Sequence, residues 1–281
     1  MARRRLVVEQ TSRLAVWARR CAVFSLAATV LAIGIVRTGL LEVEPALATF
    51  AAALVLALLG IVLAFGAFVV IWRDGISGAG YAFAALGIGV ALLAYPAYLG
   101  TRAYRLPMIN DITTDPIDPP RFDVLARLRP RGTVEYAGLY AAEQQRQAYP
   151  DIEPLTVSAT PQIAYEEALK LINKYKWRVV VDRSPQPGRR DGQIEAVART
   201  PIMGFRDDVV VRVRPAPDGA MIDMRSASRY GRHDLGANAA RIRGLLDDVD
   251  EAVSVRTDQQ ERQRRPARPA KPPPPSQPAK R

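Results

Sequence analysis

The chain has 281 residues, 49% hydrophobic and 24% charged, with 39 basic and 28 acidic side chains and a net charge of +11. One cysteine, Cys21, excludes an internal disulfide framework and a thiolate cage for zinc or iron–sulfur, and one histidine, His233, excludes a multi-histidine metal site. The excess charge sits in the first 20 and the last 28 residues, and the body between them is balanced. A nucleic-acid-binding domain carries its excess on a folded face, so nucleic acid is not an expected partner.

In chain order, a basic segment comes first, with Arg3, Arg4, Arg5, Arg13, Arg19 and Arg20 against Glu9. Three uncharged runs follow: Cys21 to Val36, Pro45 to Trp72 and Gly75 to Thr101. A bilayer core of ~30 Å needs about 20 apolar residues in a helix. The second and third runs meet that outright. The first does so if Val16 and Trp17 join it while its flanking arginines snorkel to the interface. Three transmembrane helices are predicted, over about 16–36, 46–72 and 76–99. A cleaved signal peptide fits less well, because no small-x-small site closes the first run and two spans follow.

The six arginines before the first span place the N-terminus in the cytoplasm by the positive-inside rule. Three spans then put everything after about residue 102 outside, in the periplasm of a bacterium. No charge lies inside the second or third span, so a proton or ion path is not expected. Gly60 with Ala64, and Gly87 with Gly89, offer small surfaces for helix packing.

Residues 102–254 are predicted to form an extracytoplasmic α+β domain. Its start reads as an irregular wrap rich in turn signals, with one short helix near 135–148. Thr160 before Pro161 is a helix start, and apolar residues recur at helical spacing to Tyr175. Four alternating segments follow, at 177–182, 194–199, 209–214 and 222–229, then a helix from about Asp234 whose apolar face ends at Val253. The pattern predicts helix, four-stranded antiparallel sheet, helix, with one face covered. Residues 255–281 are predicted to be a disordered, basic, proline-rich tail.

The run RSASRYGRHDLGANAARI at 225–242, with NDITTDP at 110–116, PPRF at 119–122 and GFRDDV at 204–209, resembles a bacterial membrane-protein family known only as domain of unknown function 1499. The resemblance implies no activity, substrate or cofactor. It marks Asn110, Asp111, Asp115, Arg225, Ser226, Ser228, Arg229, Gly231, Asp234, Gly236, Asn238 and Arg241 as residues of the family pattern.

The densest chemistry is at 225–241. Arg225, Ser226, Ser228, Arg229, Asp234, Asn238 and Arg241 could form an anion site at a helix N-terminus, or a polar network locking the last strand to the last helix. The outward sheet face, with Arg178, Arg199, Arg212, Arg214, Arg225 and Arg229 against Asp182, Glu195 and Asp223, could likewise be an anion site or a ladder of ion pairs. A hydrolase triad from His233, Asp234 and a serine is disfavoured, because adjacent residues cannot orient each other. Calcium at Asn110, Asp111, Asp115 and Asp118 lacks the twelve-residue loop pattern.

No catalytic residue, metal ligand or cofactor is assigned. The expected function is a non-enzymatic binding or scaffold module of the inner membrane, whose partners are the lipid bilayer and an anionic envelope component or a membrane protein. The alternatives are an envelope enzyme using the Ser226–Asp234 region and an accessory subunit of a membrane complex.

Overall fold

The computed structural model of the chain describes residues 10–39, 42–129, 136, 138–186, 188 and 191–264. Arg3, Arg4, Arg5 and the proline-rich end of the tail lie outside the described residues. Three long helices come first: α1 (Arg13–Thr38), α2 (Val43–Asp74) and α3 (Ala79–Arg105). Each is long and apolar enough to cross a membrane. Their packing is the inverse of a water-soluble bundle. Ala15, Ala18, Ala22, Ala64, Ala67, Ala82 and Ala85 are buried between the helices, while Phe24, Val55, Phe65, Val69 and Phe83 point outward. Small residues inside let the backbones approach, and large apolar residues outside suit lipid. At Gly89 a Cβ would lie 2.6 Å from Ile61 of α2, and Gly60 sits against the Ala18 carbonyl, whereas Gly87 faces open space.

The domain is built on one antiparallel sheet, with β1 (Asp111–Thr113), β2 (Leu155–Val157), β3 (Arg178–Arg183), β4 (Gly192–Arg199), β5 (Arg206–Ala216) and β6 (Gly219–Ser228). The order is β1-β6-β5-β4-β3, and β2 also pairs with β6. The expected four strands are therefore six. β1 and β2 come from the segment read as irregular, and each is too short to show a pattern of its own. They exist because β6 offers an edge: Ile112 pairs with Ser226, and Thr156 with Met221. The outer edge of β1 is closed by Gln145 of α5 (Gly138–Ala148), which accepts from the Thr113 N–H at 3.1 Å and donates to its carbonyl at 2.6 Å.

One face of the sheet carries the main core. α6 (Pro161–Lys174) starts as expected, with Thr160 accepting from the Ile163 N–H and Pro161 in the first turn. It packs with α7 (Ala237–Arg264) over Ile194, Val209, Val211, Val213, Ile222 and Met224. Ile242, Leu245, Leu246 and Val249 of α7 complete that core. α7 runs past Val253 to Arg264, so residues 255–264, expected in the tail, are helical. Arg256 supports this extension by bridging Glu166 and Glu167 of α6.

The second face was expected to be solvated and is covered instead. The chain returns across it between β1 and α5, bringing Phe122 and Leu125 onto Val197, Val210 and Ala227. Leu125 belongs to α4 (Val124–Arg127), a single turn with no side-chain cap of its own. Glu195 of β4 supplies one. Its carboxylate accepts the backbone N–H groups of Asp123, Val124 and Leu125 at 2.7–3.2 Å. Asp182 also leaves the expected face. The register shifts between Val179 and Val181, and this bulge turns Asp182 toward α6, where the Tyr165 hydroxyl donates to it.

The domain sits on one end of the helix bundle. Arg37, in the last turn of α1, donates to the carbonyls of Pro201 and Ile202 in the β4–β5 turn at 2.6 and 2.9 Å. Arg199 of β4 donates back to the Arg37 carbonyl. Gly204 makes this approach possible: its φ is +75°, and a Cβ there would lie 2.8 Å from Arg37 Cγ. His233 reaches the Ala103 carbonyl of α3 at 3.3 Å. At the far end of the bundle Thr11 bridges Ser77, so residue 11 and the domain lie at opposite ends.

Candidate functional site: the two faces of the last strand

Alternation along β6 divides the residues singled out at 225–241 into two groups. Ser226 faces the helices with Val209 as its cross-strand partner, and Arg225 faces the covered side opposite Val210. Arg225 and Arg229 therefore do not join Ser226, Ser228, Asp234, Asn238 and Arg241 around one centre.

On the helix side, the Ser226 hydroxyl donates to Asn238 Oδ1 at 2.8 Å and accepts from Arg241 at 2.8 Å. Arg241 also donates to Asn238 Oδ1 at 2.6 Å and to Asp207 Oδ2 at 2.6 Å. The Asn238 amide donates to the Ser228 hydroxyl and to the Asn110 carbonyl, both at 3.0 Å. Asp234 caps the start of α7 by accepting from the N–H groups of Gly236 and Asn238, both at 2.9 Å. Ser226 and Asn238 are completely buried. The network ties β1, β5, β6 and α7 together with donors and acceptors matched.

On the covered side, Arg225 holds Asp111 with two parallel bonds, Nε to Oδ1 at 3.0 Å and a terminal nitrogen to Oδ2 at 2.7 Å. Its guanidinium stacks over Phe122 at 4.9 Å. Asp208 sits between two arginines: Arg129 on Oδ2 at 2.5 Å and Arg229 on Oδ1 at 2.7 Å. Asp223 pairs with Arg212 at 3.1 Å and Arg214 at 2.9 Å, and Asp118 adds a bond to Arg212 at 2.8 Å. The acids of the NDITTDPID stretch thus face arginines of β5 and β6. Arg178 and Arg199, expected on this face, lie at its exposed end with no carboxylate partner among the described residues.

His233 has both ring nitrogens engaged: Nδ1 accepts from the Leu235 N–H at 3.0 Å, and Nε2 faces the Ala103 carbonyl. Three further residues matter that lay outside the expected site, namely Asp207, Asp208 and Arg129, while Glu195, expected on the outward face, lies there and caps α4. Asp207 and Asp208 stood in the quoted GFRDDV block, and period-two alternation sends one to each face. Arg129 lay in a run read only as a turn.

Burial pushes the carboxyls of Asp111, Asp207 and Asp223 above the usual range, against the pull of Arg225, Arg241, and Arg212 with Arg214. In the folded chain these three hold protons at a pH where the unfolded chain has lost them, so their contribution to stability grows as pH falls toward the unfolded value of about 4. The exposed carboxyls behave oppositely. Asp151, hydrogen-bonded by Arg243, and Glu166, by Gln162 and Arg256, are held below the usual range, and their contribution is lost only as pH falls below about 4. The thermal midpoint is therefore expected to hold or rise between pH 7 and pH 5 and to drop below pH 4. A steady fall from pH 7 to pH 5 would mean that the arginine partners outweigh burial.

The architecture is that of a membrane-anchored α+β domain whose most polar segment is spent on internal contacts. Residues 111–249 match a family model described as Protein of unknown function (DUF1499), and this part of the chain is a DUF1499 domain. Comparison with the curated proteins and with the solved structures returns no match.

Proposed function

We propose that the chain is a multi-pass protein of the bacterial inner membrane that presents its α+β domain on the periplasmic side, as a non-enzymatic binding or scaffold module for an anionic envelope component or a protein partner. The observation that carries this reading is the seat of the domain: its β4–β5 turn is clamped to the end of α1 by Arg37 and Arg199. A module held in that way works at the membrane surface. Orientation is argued from charge: α1 begins at the end of the bundle away from the domain and carries Arg13, Arg19 and Arg20 in its first half, and the sequence ahead of it adds three more arginines. The non-enzymatic reading is supported by Ser226, which is completely buried and donates to Asn238 rather than facing open space beside a base.

The test is labelling of a single cysteine at Ser276 in a Cys21→Ser background, with a membrane-impermeant maleimide on intact cells. Labelling after outer-membrane permeabilisation, before lysis, is the expected result. Labelling only after lysis would put the domain in the cytoplasm and overturn the periplasmic reading.

A further inference from the structure

At the edge of the sheet nearest the helices, the start of β3, the end of β4 and the start of β5 come together. Lys176, Arg178, Arg199 and Arg206 line a cleft of about 220 Å³ there, with Tyr175, Trp177 and Val197, and none of the lining residues is acidic. Among the described residues these four cations have no carboxylate within ion-pair distance, whereas Arg212, Arg214, Arg225, Arg229 and Arg241 of the same sheet and its helix each have one. Arg206 also borders a smaller cleft that Glu42 lines, and the two do not form an ion pair.

The cleft is level with the end of α1. Arg199 donates to the Arg37 carbonyl, and a Cβ on Gly39 would lie 2.6 Å from the Arg206 guanidinium. A bilayer crossed by α1 has its headgroups at that height. The rings of Tyr175 and Trp177 lie 5.3 Å apart, and such amphipathic aromatics favour the membrane–water interface. Lys176 adds a separate indication. It ends α6 in the left-handed region, at φ +58°, a position that glycine usually fills at no steric cost. Keeping a lysine there costs backbone strain and places an ammonium in the cleft.

We propose that this cleft binds the phosphate-bearing headgroup of an anionic phospholipid in the leaflet on which the domain rests. Guanidinium forks bind phosphate oxygens bidentately, and an ammonium adds a point charge. The proposal deepens the binding reading above and rests on its placement of the domain at the membrane surface.

The test uses the full chain in neutral detergent, mixed with phosphatidylglycerol and phosphatidylcholine at equal mole fraction, with retained lipid counted by native mass spectrometry. The wild-type chain is expected to retain phosphatidylglycerol preferentially. The side chains of Lys176 and Arg178 make no hydrogen bond among the described residues. The double variant Lys176→Gly, Arg178→Ala is thus expected to lose retention roughly ten- to thirtyfold, at about fivefold per charge. Lys176→Gly alone should hold or raise the melting temperature while weakening retention, which separates lost binding from lost folding. Equal retention of the two lipids, or retention unchanged in the double variant, would overturn the proposal. So would displacement of the lipid by millimolar inorganic phosphate, which would assign the cleft to free phosphate. Micelles have no sidedness, so a wrong orientation would fail the cysteine-labelling test and leave this one standing.

Discussion

Asp208→Asn is expected to destabilise the domain by about 3–5 kcal/mol, the cost of removing one partner from a buried ion pair. Asp208 is completely buried and is shared by Arg129 and Arg229. Arg129 is 8% exposed and also donates to the Ala227 carbonyl at 2.8 Å, so it cannot swing out to water without breaking a second bond. Neutralising the carboxylate leaves two guanidiniums facing each other across an amide. For a chain of this size the thermal midpoint should fall by roughly 6–20 °C. A triple variant, Asp208→Leu with Arg129→Met and Arg229→Met, should recover most of the loss, because a buried ionic cluster can often be exchanged for apolar packing at little cost. A midpoint for Asp208→Asn within about 1 °C of the parent chain would show that the pair is not buried as described.

Glu195→Ala should rank next, at about 3 kcal/mol, with its effect concentrated in one segment. The carboxylate serves three backbone donors at the start of α4 and receives a fourth bond from Gln193 at 3.2 Å. Each buried donor left without a partner costs roughly 1–3 kcal/mol. α4 has one turn and no cap of its own, so losing Glu195 should release the cover over Val197, Val210 and Ala227 before the sheet itself unfolds. Hydrogen exchange of backbone amides in 121–129 is expected to quicken roughly a hundredfold, while those of β5 stay protected. Glu195→Gln keeps one acceptor oxygen and should show an intermediate effect. Equal acceleration across the sheet would show that the cover and the sheet open together.

The parts of this structure visible in the sequence are those whose signal is local. The long uncharged runs announce α1 to α3, the Thr160–Pro161 pair announces α6, and strict alternation announces β4, β5 and β6. What stayed hidden depends on partners far along the chain. β1 and β2 are three residues each and take their form from β6. The bulge in β3 falls within Val179, Val180 and Val181, where three identical side chains carry no phase. Alternation marked one sheet face as polar, and nothing local said that the proline-rich segment would return to cover it. The candidate site was grouped by closeness in sequence. The same alternation that set Arg225 and Arg229 on the outward sheet face already separated them from Ser226 and Ser228.

The connection between bundle and domain has a consequence for what the protein can engage. α3 ends at Arg105 and β1 begins at Asp111, so five residues join them. Fully extended they would span about 17 Å, and they are not free to extend. The Ile109 carbonyl is held by the Asp234 N–H at 3.1 Å and the Asn110 carbonyl by the Ser228 N–H at 2.8 Å. The leash is short and already wound in. Such a domain cannot swing out to search the space beyond the bilayer, so whatever it engages has to be delivered to the membrane or already reside in it.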